Sequence, residues 1–151
     1  MTQDRPGYQF PKSARILNSD DFGALLRSDG PGAIRLGRDA VSLCAQAHRK
    51  TGRVRFGFTV GKRNVPLSVD RALVKRILRE ESRQTLPALR KDCERFGIGL
   101  DVSLRFRVPL RTTGARVTLG QARELVRRST RLCLSAMRRR LEGAARALDG
   151  A

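Results

Sequence analysis

Arg71, Lys75, Arg76, Arg79 and Arg83 follow one another at intervals of four, one, three and four residues. On a helix turning about 100° per residue, with Arg71 as zero, they fall within about 0–140°. Leu73, Val74, Ile77 and Leu78 fall within about 200–340°. One face therefore suits a core, and the other is a cationic comb. Like charges at this spacing repel and cost stability. A merely solvated face interleaves both signs, whereas Asp70, Glu80 and Glu81 are the only acids nearby. The chemistry served by such a row is neutralisation of a polyanion. Just upstream lies Gly61-Lys62-Arg63-Asn64-Val65-Pro66. Gly61 frees the backbone after a strand, and Lys62 and Arg63 add charge beside a helix N-terminus, whose N–H groups also bind phosphate. The G-x-x-x-x-G-K-[ST] spacing of a P-loop is absent.

Other reactive residue types are sparse. Asp20-Asp21 and Glu80-Glu81 are the only acidic doublets, and neither makes a carboxylate cage for two metals. The single histidine, His48, stands among Gln46, Arg49 and Lys50 and reads as a solvated loop residue. Cys44, Cys93 and Cys133 are odd in number and far apart, which indicates neither a disulfide framework nor a zinc site. They read as reduced thiols in the cytoplasm, used as small hydrophobes. No catalytic or metal-binding residue is expected in this chain.

The whole chain shares the charge of the comb. Its 151 residues carry 32 Lys plus Arg against 14 Asp plus Glu, a net charge of +18. Such self-repulsion works against compaction, so a polyanionic partner is expected, nucleic acid first and an anionic membrane surface second. No apolar run approaches the roughly 18 residues of a membrane span. Asp4, Arg5 and Pro6 stand where a signal peptide needs apolar residues. With six Phe, one Tyr and no Trp, stacking across many bases is not expected.

The elements that position these residues follow from periodicity. Residues 1–9 read as a flexible tail, and 10–148 as a single domain. A short helix is expected from an N-cap at Ser19 through Leu26, stopped by Ser28-Asp29-Gly30-Pro31-Gly32. Val41, Leu43 and Ala45 alternate weakly as a strand. Val54, Phe56, Phe58 and Val60 alternate clearly, as do Val102, Leu104, Phe106 and Val108. Long helices are expected from Ser68 to Gln84 and from about Gly120 to Leu148. The second carries a core stripe of Ala122, Leu125, Val126, Leu132, Cys133, Met137 and Leu141. Pro87 interrupts the stretch 86–100, where 90–95 allows a short helical extension. The order helix, strand, strand, helix, strand, helix is an α+β fold, a small antiparallel or mixed sheet packed by helices.

The run from Arg55 through Val65 (R-F-G-F-T-V-G-K-R-N-V), followed by Asp70 to Glu80 (D-R-A-L-V-K-R-I-L-R-E), resembles the bacterial ribonuclease P protein subunit. That family shows R-hydrophobic-G-hydrophobic-T/S-V, a K-K stretch, and a helix bearing R-N-R-x-K-R-x-x-R-E at the same spacing. Phe10-Pro11-Lys12 to Phe22 is similar to its opening segment, and residues 90–99 look like an insertion. Arg71 keeps the first arginine of the helix signature, while Ala72 and Leu73 replace its Asn and second Arg. Leu26 and Cys44 stand where family members carry aromatics.

The resemblance implies a fold shared with a small-subunit ribosomal protein domain. It also implies a subunit of a ribonucleoprotein that removes the 5′ leader of precursor tRNA, with Mg²⁺ held mainly by the catalytic RNA. Lys62, Arg63, Arg71, Lys75, Arg76 and Arg79 would contact that RNA. Phe22, Arg55 and Phe58 would meet the leader in a cleft between the first helix and the sheet, although the alternation of Phe58 also fits a core position. The partners implied are the catalytic RNA and precursor tRNA, with no membrane and no protein partner. A general or ribosomal-protein-like RNA-binding domain is the alternative, and a metal-dependent nuclease acting alone is a third reading.

Overall fold

A computed structural model describes residues 10–16, 18–110 and 119–150. The expected tail at 1–9 lies outside the described residues. After a 3-10 turn at Lys12–Ala14, the chain forms α1 (Ser19–Arg27), β1 (Ala33–Arg38), β2 (Val41–His48), β3 (Val54–Val60), α2 (Ser68–Phe96), β4 (Gly99–Phe106) and α3 (Leu119–Asp149). The class is α+β, with one strand more than the periodicity suggests. The sheet runs β1-β2-β4-β3, antiparallel except for the parallel pair β3 and β4. That parallel pair needs a crossover, and α2 supplies it.

The extra strand is β1, at the sheet edge. Ile34 is its one buried residue, opposite Ala45 of β2. Gly37 beside Arg38 cuts its alternation short after Ile34 and Leu36. Its turn to β2 passes through Asp39 in left-handed backbone (φ 48°) rather than through an Asn-Gly or Asp-Gly signal.

The apolar alternation of β3 and β4 faces α2, while α3 packs on β1 and β2 and against α2. Phe56, Leu78, Leu89, Leu100, Leu104, Phe106, Leu134 and Met137 are fully buried between these layers. α2 does not stop near Gln84. Pro87 removes one helix hydrogen bond, a cost of about 3 kcal/mol in an interior position. Burial of Leu86, Leu89 and Cys93 along the same stripe carries the helix through it. It ends at Gly97 (φ 68°), whose N–H reaches Glu94 O (3.1 Å) while Ile98 N–H reaches Cys93 O (3.0 Å). The next strand therefore starts two residues before Asp101 and ends at Phe106, short of Val108. On α3, Leu132 is 43% exposed and leaves the expected stripe, whereas Leu134 joins the core.

α1 covers the other face of the sheet. Its N-cap is Asn18, not Ser19: the Asn18 side chain accepts the Asp20 N–H at 2.7 Å. Phe22 lies so close over β3 that a Cβ added at Gly57 would stand 2.1 Å from its ring. Arg35 of β1 holds the helix end, donating to Leu26 O (2.8 Å) and Ser28 O (2.8 and 3.1 Å).

Since Leu78 is fully buried and Arg76 exposed on the same helix, Leu78→Ala should lower stability by about 2–5 kcal/mol. Arg76→Ala should change it by less than about 0.5 kcal/mol. Urea unfolding of both variants checks this, and equal losses would contradict the assignment of the two faces.

Candidate nucleic-acid interface

The loop between β3 and α2 is pinned from below. Val65 is fully buried and its N–H meets Gly61 O (3.0 Å), while Leu110 N–H meets Asn64 O (2.7 Å). Lys62 and Arg63 are left exposed at the loop surface. Arg71 turns back from the first turn of α2 and donates to Val65 O (2.9 Å) and Pro66 O (2.7 Å). It thereby ties the loop to the helix and is half-buried.

Beyond Arg71 the comb opens onto a groove of about 590 Å³ between α2 and the N-terminal segment. Lys75, Arg76, Arg79 and Arg83 line it with Ala72 and Glu80 from α2, and Phe10 and Arg15 close the other side. Arg15 reaches back to Phe10 O (2.8 and 3.1 Å), and the Arg79 guanidinium lies 6.0 Å from the centre of the Phe58 ring. Glu80 is the groove's one carboxylate among the described residues. Hydrogen bonds from Arg83 first, and then from Gln84, hold it below its ordinary pKa against the opposing effect of burial. It is a charged partner of Arg83, and Lys75, Arg76 and Arg79 make no ion pair among the described residues.

The expected leader-binding residues divide between two faces. Phe22 and Arg55 lie on the α1 side of the sheet. Phe58 lies on the opposite side, edge-on to Phe10 (5.6 Å between centroids) and stacked on Phe56 (6.0 Å), as its alternation also allowed. Arg55 is almost enclosed. It makes two 2.9 Å hydrogen bonds to Asp101 directly across the strand pair and a third, at 3.3 Å, to Asp21 of α1. The part of this face that stays open is a cleft of about 340 Å³, where Leu26, Cys44, Ser42, Ser103 and Arg105 meet Arg35. Arg35 donates to Cys44 Sγ at 3.0 Å. Arg105 belongs to the polar alternation of its strand and was legible there. Arg15 and Phe10 lie outside any periodic segment, and only the resemblance of the segment from Phe10 to Phe22 marked them.

His48 is not a solvated loop residue. It ends β2, its Nδ1 accepts the Lys50 N–H (3.3 Å), and its buried Nε2 stands 3.6 Å from Asp101. Burial raises the pKa of Asp101, but His48 and the doubly bonded Arg55 guanidinium outweigh it and bring the group to about 2. Among the described residues no three His, Cys, Asp or Glu side chains are grouped to hold a metal ion. The acids nearest the two clefts face arginines: Asp21 and Asp101 bond Arg55, Glu80 bonds Arg83, and Glu81 bonds Arg131. Such a donor set does not fit a divalent cation.

A carboxylate whose folded pKa lies below its unfolded value of 3.8 stabilises the fold above that value and loses the contribution as pH falls towards 2. Wild type should therefore exceed Asp101→Asn by about 2 kcal/mol near pH 5, and the gap should close as the pH approaches 2. Urea midpoints across that range measure it, and a gap independent of pH would remove Asp101 as its source.

Residues 10–130 match the ribonuclease P family profile. The ribonuclease P protein component of Paraburkholderia xenovorans (strain LB400) is 33% identical over 96 residues, 64% of this chain. The matched part spans 59% of that relative's length. No helix among the described residues is long and apolar enough to cross a membrane. With a match that runs from Phe10 through the comb and into α3, the chain belongs to the ribonuclease P family.

Proposed function

We propose that residues 10–148 act as one RNA-binding domain, the protein subunit of ribonuclease P, which binds the catalytic RNA and the 5′ leader of precursor tRNA. The observation that carries this reading is the groove beside α2, where Lys75, Arg76 and Arg79 have no ion-pair partner among the described residues while its one acid is neutralised. A concave site of unpaired cations suits a chain of phosphates. Lys62 and Arg63 extend it past the loop, and Arg71 fixes the loop's position. Arginine's planar fork adds bidentate phosphate geometry that lysine lacks.

The leader would enter the cleft between α1 and the sheet. Arg105 offers charge there and Ser42 and Ser103 offer hydroxyls, while Phe22 packs over Gly57 on the same face of the sheet and Arg55 holds α1 in place through Asp21. Leu26 and Cys44 line the cleft where aromatics would stack on bases, so backbone contact outweighs stacking in this chain.

Mg²⁺ held by the catalytic RNA would supply the activated water and stabilise charge on the phosphate under attack. The protein's part is to hold the RNA and the leader together and neutralise their repulsion. It is not the nuclease by itself, because the carboxylates around its clefts face arginines. We place its action in the cytoplasm, in keeping with buried thiols at Cys93 and Cys133, which burial raises to about 12 and about 11.

Binding to the catalytic RNA should fall steeply with salt, with a log–log slope near −4 for about six phosphate contacts on single strands. Lys75→Ala and Arg76→Ala should each make that slope shallower by about 0.7. A wild-type slope shallower than about −1 would rule out the comb. Precursor-tRNA cleavage at Mg²⁺ limiting for the RNA should rise when the protein is added. Cleavage by protein alone would make it a nuclease, and no effect beside the RNA would leave a general RNA-binding domain.

A further inference from the structure

The comb on α2 has a gap in charge at Leu73, which is half-buried against the core. Across from it runs a row on α3: Arg123, Arg127 and Arg131, spaced four residues apart and so stacked along one side of that helix. The two helices leave a groove of about 190 Å³ between them, floored by Leu73 and Ile77 and flanked by Arg76 on one side and Arg123 and Arg127 on the other.

Both acids at this groove are already answered. Glu80 bonds Arg83, and the almost fully buried Glu81 takes the guanidinium of Arg131 (3.0 and 3.1 Å). Arg76, Arg123 and Arg127 make no ion pair or hydrogen bond among the described residues. Three arginines therefore line one apolar-floored groove without an ion pair among the described residues, and its two carboxylates are held by other arginines, an arrangement that favours an added anion.

We propose that this groove is a second contact for the RNA backbone. Arg123 and Arg127 of α3, with Arg76 of α2, hold a phosphodiester of the catalytic RNA there, and α3 supplies the charge that α2 lacks at Leu73. The phosphate path then leaves the comb sideways over the helix pair rather than continuing along α2. This inference rests on the RNA-binding reading above and adds α3 to it.

The test uses the full chain and equilibrium binding to the catalytic RNA as a function of salt. Arg123→Ala/Arg127→Ala should weaken binding about tenfold at fixed salt and make the log–log slope shallower by about 1.4, with an unchanged melting temperature. Arg123→Lys/Arg127→Lys, which keeps the charge, should keep the slope. Arg95→Ala/Arg139→Ala removes the same charge at the far end of the same helix pair and should leave the slope nearly as it was. An unchanged slope in the α3 alanine pair, an equal loss in the far pair, or a lost slope in the lysine pair would each overturn the proposal. If Lys75→Ala/Arg76→Ala loses slope while the α3 pair does not, the inference fails alone. If neither pair loses slope, the RNA-binding reading fails with it.

Discussion

Two parallel strands side by side cannot be joined by a turn, and β3 and β4 are such a pair. The chain must leave one end of the sheet and re-enter at the other, and α2 makes that passage with one stripe buried. Val74, Ile77, Leu78, Leu86, Leu89 and Cys93 face the sheet and α3. A helix fixed along so long a stripe has no rotational freedom, so its remaining residues have their directions set for them. Lys75, Arg76 and Arg79 point outwards because Leu78 and Ile77 must point in. The cost of gathering like charges is met by core burial that would form whatever stood on the outer face.

Charge is sorted by place as well. Arginines near the core have carboxylate partners: Arg55 with Asp101 and Asp21, and, from the outside, Arg131 with the buried Glu81. On the outer surface Arg128, Arg138 and Arg146 also pair, with Asp39, Asp92 and Glu142, whereas Lys75, Arg76, Arg79, Arg123 and Arg127 beside the two grooves make no ion pair among the described residues. The acids that are present thus tie α1 to β3 and α3 to α2, where a lone buried charge would be most expensive. The surplus of cations gathers in two grooves beside α2. The rest of the +18 net charge is spread over the chain outside these grooves.

Wherever burial and period agree, the fold was legible in the residues. Val54, Phe56 and Val60 alternate and are buried, and Leu78 and Arg76 divide as a helix wheel divides them. β1 escaped because an edge strand buries little, so its pattern is short, and its turn lacks the usual glycine. Pro87 misled for the opposite reason: local chemistry argued for a break, and tertiary packing on both sides of it won. The candidate site was legible where it lay on a periodic element, as the comb and Arg105 do. Phe58 was ambiguous because its period says core, and that is where it lies, yet Arg79 rests against the same ring. The groove between α2 and α3 joins Leu73 to Arg123, residues fifty positions apart, a neighbourhood that only the packing of the two helices creates.

That packing changes how the departures at Ala72 and Leu73 are understood. Read along α2 alone, two polar positions of the family's helix signature have been lost, and the comb looks interrupted. In the folded chain Ala72 opens the first groove, and Leu73 floors the second. A small residue at 72 deepens the path beside Phe10 and Arg15. An apolar one at 73 packs against the core and brings the arginine row of α3 up to the edge of α2. An arginine at 73 would have faced Arg76, Arg123 and Arg127 at once, a repulsion the leucine avoids. The cations are distributed over two helices, and the surface proposed to bind phosphate is a property of their shared groove rather than of one motif.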